Sequence, residues 1–456
     1  MLLRFSVQNF LSFNEEVSLD LIPASKLGAN NILSDDVGRK ISALPISLLY
    51  GANGAGKSNV FKAMKFASNL IITGTKGDQS LGNKIFKLDK ACLEKPTIFR
   101  FTFKNDGVIY DYGFAILGNK IVEEWLYGKF FRKELQLFAR TVNKKGISKF
   151  EFGAKLRTRK KKEADRLGFV AAGTRDNQLF LSEAYDRNVK GIHGVMNWFS
   201  KKLIFISPNA VYSNLPIKTT RDNEFGEYLS NLMRYADTGI DGISALEKDF
   251  DIDKQFPELS SKDKQEMIDR IAFISNNKNQ VLRVQYMNNI FTISFDRKTE
   301  KLKIHLIKTI HKSETLGAVE FVPSDESDGT IRLMNIAPSL LDLTLSDKVY
   351  IIDEIDRSLH PILTKGLIEQ FVDKVKHGLI KGQLILTTHQ TCILNLKNLR
   401  SDEINFIEKD KSGASHISSL VDFHVRGDLR LEKGYLNGRF GAIPFLGDGT
   451  NVLRTQ

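Results

Sequence analysis

Ile46-Ser47-Leu48-Leu49-Tyr50-Gly51-Ala52-Asn53-Gly54-Ala55-Gly56-Lys57-Ser58-Asn59 is the stretch that decides the reading of this chain. A short apolar strand runs into a glycine-rich turn of the form G-x-x-x-x-G-K-S. After it, Val60, Ala63, Met64, Phe66, Ala67 and Leu70 recur at helical spacing, so the turn sits between a strand and a helix. The chemistry fits a triphosphate. The backbone N–H groups of Asn53, Gly54, Ala55 and Gly56 can converge on phosphate oxygens, and the helix N-terminus adds a favourable dipole. Lys57 places a cation between the β- and γ-phosphates, and Ser58 offers its hydroxyl to Mg2+.

A second apolar strand, 349–352, ends in Asp353-Glu354. A hard cation needs oxygen ligands, which suits Asp353, and the neighbouring Glu354 is placed to orient or deprotonate an attacking water. A third, 384–388, ends in His389. Asp356 follows the acidic pair at two residues' distance, and Ser327-Asp328-Gly329 opens another helical run over 331–343. A Ser-Asp-Gly turn of this kind is also an ordinary helix cap.

Elsewhere the pattern is coarser. Residues 2–13 alternate in part, as do 97–103 and 108–117 around an Asn105-Asp106-Gly107 hairpin turn. β character continues to 153. The span 160–280 reads as helical, for example at 183–199 and 261–273. Strands return at 281–295 and 302–307, and 361–375 reads as a helix. The expected organisation is an N-terminal lobe at 1–155, a mainly helical insertion at 156–280, and a C-terminal lobe at 281–456. No internal repeat, low-complexity tract or long heptad run is visible.

The 456 residues are too many for one core, and 42% hydrophobic with 26% charged is a folded, not disordered, balance. Two cysteines exclude a disulfide framework and suit a reducing compartment. The start, MLLRFSVQNFLSF, lacks a signal-peptide pattern, and no run has the length of a membrane span, so a soluble, cytoplasmic protein is expected. The net charge of +12 favours acidic partners. The run Lys155-Leu-Arg-Thr-Arg-Lys-Lys-Lys162 is either a solvated loop or a contact for DNA or an acidic protein.

Together these motifs resemble the AAA15 family of ABC-type ATPases, kin to the OLD, RecF, SMC and Rad50 proteins. The resemblance extends to Phe5-Ser-Val-Gln-Asn-Phe-Leu-Ser-Phe13, Phe86-Lys-Leu-Asp89, Glu124-Trp-Leu-Tyr127, Ala236-Asp-Thr-Gly-Ile240 and Tyr435-Leu-Asn-Gly-Arg-Phe-Gly-Ala-Ile-Pro444. It implies an α/β fold, an ABC-type P-loop ATPase head formed by the N- and C-terminal lobes, with ATP and Mg2+ as cofactors. In such heads Asn53 and Asn59 lie at the nucleotide, His389 contacts the γ-phosphate, and Asp356 lies in the loop that crosses the dimer interface. Ser327 and Gly329 then form a degenerate signature that meets nucleotide held by another copy, so each site is completed only in a homo-oligomer. No Toprim nuclease domain is expected after the head, unlike in OLD proteins, and no Q-loop glutamine is evident. Stand-alone heads of this length are similar to the AriA-like ATPases of PARIS anti-phage systems. That likeness implies a higher assembly holding a separate Toprim nuclease effector (AriB-like), released when a phage DNA-mimic anti-restriction protein is sensed. The competing expectation is a RecF-like ATPase of DNA repair that binds DNA directly.

Overall fold

Three apolar runs of the sequence become neighbouring strands that are buried along their whole length: Ile46–Tyr50, Val349–Ile352 and Gln383–Thr387. Strands covered on both faces belong in a parallel sheet, and that is where they lie. The structure, a computed structural model, describes residues 1–27, 32–35, 41–130, 133–143, 145–156, 161–276, 280–286, 289–395, 399–423 and 431–443. Its contacts divide the chain into two units, 1–208 with 342–356 and 364–456, and 209–341 with 357–363.

In the first unit a six-stranded sheet has the order Leu203–Ile206, Val349–Ile352, Gln383–Thr387, Ile46–Tyr50, Ile404–Lys409, Ser415–Ser419. The first five strands are parallel, and the last returns as a hairpin. The loop-bearing strand is thus flanked by strands from the far end of the sequence. The helix Lys57–Thr73 buries Val60, Phe61, Ala63, Met64, Ala67, Leu70 and Ile71.

A second, seven-stranded sheet in the same unit is antiparallel throughout, in the order Ser148–Phe152, Lys133–Val142, Lys120–Phe130, Val108–Leu117, Thr97–Asn105, Leu2–Gln8, Val17–Asp20. The expected hairpin is present. Asn105 pairs with Val108, and Asp106 and Gly107 take φ of 49° and 75°, the doubly left-handed turn that matches strand twist. One core joins the two sheets, from Phe5, Phe99 and Phe114 to Leu49, Ile351 and Ile385. Phe103 stacks on Trp198 with ring centres 4.0 Å apart.

The second unit holds an antiparallel sheet, Ile240–Asp249, Lys301–Ser313, Asn289–Asp296, Val281–Tyr286, with Gly317–Phe321 also paired to Lys301–Ser313. The helices Leu215–Arg221 and Asn223–Tyr235 contribute Leu215, Phe225, Leu229 and Met233 to its buried set. A separate cluster of Phe256, Ile271, Leu282, Ile293 and Ile304 fills the other end.

The division differs from the lobes expected at 1–155, 156–280 and 281–456. Residues 161–206 pack in the first unit, and the second combines helices with an antiparallel sheet that draws on 240–249 and 281–321. The expected helix over 183–199 is broken into Phe180–Asp186 and His193–Asn197, because Asn188 and Gly191 between them take φ of 56° and 93°. Ile240–Asp249 lies in the stretch read as helical yet forms a strand. Among the described residues no helix is long and apolar enough to cross a membrane. The basic run at 155–162 lies outside the described residues except at Lys155 and Leu156 and along the backbone of 161–162.

Candidate functional site

The glycine-rich turn leaves the sheet at Tyr50 and enters the helix at Lys57. Its glycines serve different needs. At Gly51 an added Cβ would run into the carbonyl oxygen of Ile407. At Gly56, φ is 121° and a Cβ would stand 2.5 Å from Ser415 Oγ. Gly54 has open space around it and needs glycine only for its φ of 75°. Asn53 is exposed at the tip of the turn. The loop is braced from two remote segments. Ser415 Oγ donates to Ala55 O at 2.6 Å and lies 2.8 Å from Ser12 Oγ, which also accepts from Asn59 Nδ2 at 2.8 Å.

Lys57 is 5% exposed, and its ammonium donates to Gly51 O at 2.7 Å and Ala52 O at 3.1 Å. Its Nζ is 3.4 Å from His389 Nδ1. Burial lowers its pKa to about 8, against the opposing pull of Asp356, Asp353 and Glu354. Desolvation and then the Lys57 cation lower the pKa of His389, with the same three carboxylates opposing.

Asp353 is buried, and its Oδ1 accepts from Ser58 Oγ at 3.0 Å and Thr387 Oγ1 at 2.6 Å. Thr387 Oγ1 in turn accepts from the Glu354 N–H at 2.7 Å. One threonine therefore ties the end of its own strand to both carboxylate residues of the next. Glu354 has φ of 50°, a conformation that costs an ordinary residue energy and turns the chain sharply off the strand. Asp356 Oδ2 accepts from the His389 N–H at 3.0 Å, while its Oδ1 is buried with no hydrogen-bond partner among the described residues. Tyr50 at the root of the turn is also wholly buried with an unpartnered hydroxyl among the described residues, and burial raises its pKa.

The first unit thus brings together the glycine-rich turn, Lys57, Ser58, Asn59, Asp353, Glu354, Asp356 and His389 at the carboxyl ends of parallel strands, where open α/β sheets bind ligands. Ser327 and Gly329 belong to the second unit. There Ser327 Oγ caps the helix Asp328–Leu345 by accepting from Thr330 N at 3.1 Å. A Cβ on Gly329 would lie 2.5 Å from the carbonyl oxygen of Ser358. Thr387, Ser12 and Ser415 escaped the sequence reading. Thr387 is adjacent to the strand end already singled out, whereas nothing in the sequence ties 12 or 415 to the turn.

The donor set fits a hard divalent ion: one buried carboxylate with two hydroxyls converging on the same oxygen, at a helix N-terminus that attracts phosphate. Among the described residues no group of three or more His, Cys, Asp or Glu forms a metal cage. An ion held by Ser58, Asp353 and substrate phosphates needs none.

No curated protein matches the chain. Similar solved structures include an SMC head bound to the C-terminal winged-helix domain of ScpA, at 13% identity and a TM-score of 0.36, covering 92% of this chain and 97% of that one. Another is the recombination mediator RecF with a bound ATP analogue, at 13% identity and a TM-score of 0.32, covering 91% and 98%. A family model described as "AAA domain, putative AbiEii toxin, Type IV TA system" matches residues 46–395, a span from the P-loop strand to just past His389. With that match, which spans the glycine-rich turn, the acidic strand end and His389 on one parallel sheet, the chain belongs to this AAA family.

Proposed function

We propose that the chain binds and hydrolyses Mg2+-ATP at sites shared between two copies. We further propose that this cycle controls an assembly in a bacterial anti-phage system of the PARIS type. The observation that carries the catalytic part is the linked set Ser58–Asp353–Thr387–Glu354 beside Lys57. Bound magnesium would neutralise phosphate charge and hold the triphosphate in register. Asp353 and Ser58 would hold the ion. Lys57 exchanges loop carbonyls for phosphate oxygens, which favours its charged form. Glu354, fixed through its N–H, orients and deprotonates the attacking water. His389, kept neutral by desolvation and Lys57, donates one ring N–H toward the γ-phosphate. Ser327 and Gly329 serve the nucleotide of a second copy.

Lys57→Ala should abolish ATP binding, while Glu354→Gln should keep binding and lower turnover by about 100-fold or more. Turnover by Glu354→Gln equal to wild type would remove the assignment.

The defence reading is supported by the family description, which names a toxin–antitoxin system, and by the resemblance to AriA-like ATPases. On that reading the homo-oligomer holds a Toprim nuclease and releases it on meeting a phage DNA mimic. A salt titration with duplex DNA and with such a mimic, while following nuclease release, tests it. Phosphate-dominated duplex binding should weaken by about three to five decades between 50 and 200 mM salt if six to ten contacts form. A folded mimic should keep part of its affinity. Tight duplex binding that releases the effector, with no response to the mimic, would favour the repair ATPase instead.

A further inference from the structure

In the second unit the turn that bears Ser327 and Gly329 is moored by the residue just before it. Glu326 has a side chain only 8% exposed. Its Oε1 accepts from the Thr309 hydroxyl and from His311 Nε2, the latter at 2.9 Å. Thr309 is buried, and both partners lie on the strand Lys301–Ser313. His311 is fixed in its turn, its ring set edge-on against Phe321 with centres 4.7 Å apart. Phe321 ends the strand Gly317–Phe321 that pairs with the same segment, Thr309 opposite Phe321 and His311 opposite Val319. On the other side of the turn, Gly329 abuts the Ser358 carbonyl so closely that no side chain fits. Ser327 Oγ accepts the Thr330 N–H as the cap of the following helix. The turn is therefore pinned at both ends, and one end depends on a single carboxylate oxygen.

A carboxylate this buried is costly unless its hydrogen bonds are made. A plain loop would not need it, because the helix that follows is already capped by Ser327. The mooring fixes the direction in which Ser327 and Gly329 are presented. We infer that Glu326, held by Thr309 and His311, is a positioning residue that sets the Ser327–Gly329 turn for the nucleotide of another copy. This rests on the shared-site reading above. Glu326 itself touches no nucleotide on this view. Its loss should slow turnover of the opposed site and leave the chain's own P-loop affinity intact.

The test uses full-length chains and measures ATP turnover of mixtures and binding of a fluorescent ATP analogue by each single chain. Glu326→Ala should lower turnover at least tenfold with analogue affinity within about twofold of wild type, and Thr309→Val should do the same more mildly. Glu326→Gln keeps an acceptor oxygen and should restore most of the rate. Mixing Glu326→Ala with Lys57→Ala should regain one working site per mixed dimer, since each chain supplies the half the other lacks. Mixing it with Gly329→Ala should regain none, because both lesions lie on the same face. If Lys57→Ala with Gly329→Ala recovers but Lys57→Ala with Glu326→Ala does not, the anchor is wrong and the shared site stands. If Lys57→Ala with Gly329→Ala also fails in proven mixed dimers, the shared site falls and the anchor with it. Loss of analogue binding by Glu326→Ala would show a merely structural role.

Discussion

Thr387 carries more of the site than its ordinary side chain suggests. It donates to Asp353 and receives the Glu354 N–H, so Thr387→Val should misplace both carboxylates while preserving shape. Turnover should fall about 10- to 100-fold, as for lost supporting contacts at metal ligands, with nearly unchanged thermal stability; a rate within twofold of wild type would show the bond to be incidental. Lys57 offers a pH test. Its folded pKa of about 8 lies below the ordinary 10.5. Between those values the unfolded chain holds a proton that the folded chain has lost, so this residue makes stability rise with pH across that window. The contribution is on the order of a few kcal/mol at about 1.4 kcal/mol per pKa unit. Denaturant unfolding from pH 7.5 to 10 should show that rise in wild type, and Lys57→Met should flatten it. Bound ATP should flatten it too, by favouring the charged lysine.

At the scale of the elements, the glycine-rich turn separates two kinds of glycine. Gly56→Ala meets both a left-handed φ and the Ser415 hydroxyl, while Gly54→Ala meets only φ. Gly54→Ala should cost roughly 1–2 kcal/mol, and Gly56→Ala more, with loss of nucleotide binding; paired melts and analogue titrations would show the order. The same turn explains what could be read from sequence. Asp353, Glu354 and His389 were legible because each closely follows a fully buried strand, where an apolar run stops at polar residues, and Lys57 and Ser58 because a glycine-rich turn joins such a strand to a helix. The Asp106-Gly107 hairpin was legible because its backbone needs those residue types. The helix expected over 183–199 failed at Asn188 and Gly191, where backbone handedness overrode apolar spacing. The strand Ile240–Asp249 went unread because its half-exposed residues mix Gly, Ser and Ala with charges and leave no clear alternation. Contacts made across the fold, Ser12 to Asn59 or Glu326 to His311, have no sequence period at all.

For the molecule as a whole, the proposed sharing of a nucleotide by two copies predicts that size tracks the nucleotide state. Glu354→Gln should form a larger species with ATP and magnesium that persists for hours in sedimentation, whereas wild type should revert as ATP is consumed. No change of size in Glu354→Gln despite bound ATP would remove the assembly role. The order of the parallel sheet bears on how the chain comes to be made. The P-loop strand has Gln383–Thr387 on one side and Ile404–Lys409 on the other, and Gln383 Nε2 reaches Leu44 O across 339 residues. At about 5–20 residues per second of synthesis, that strand leaves the ribosome tens of seconds before either neighbour exists. During that interval its apolar edge is open to wrong pairing, the hazard of non-local β contacts. Chaperone capture of ribosome-bound nascent chains should therefore begin soon after residue 50 emerges and end only once residue 409 has cleared the exit tunnel.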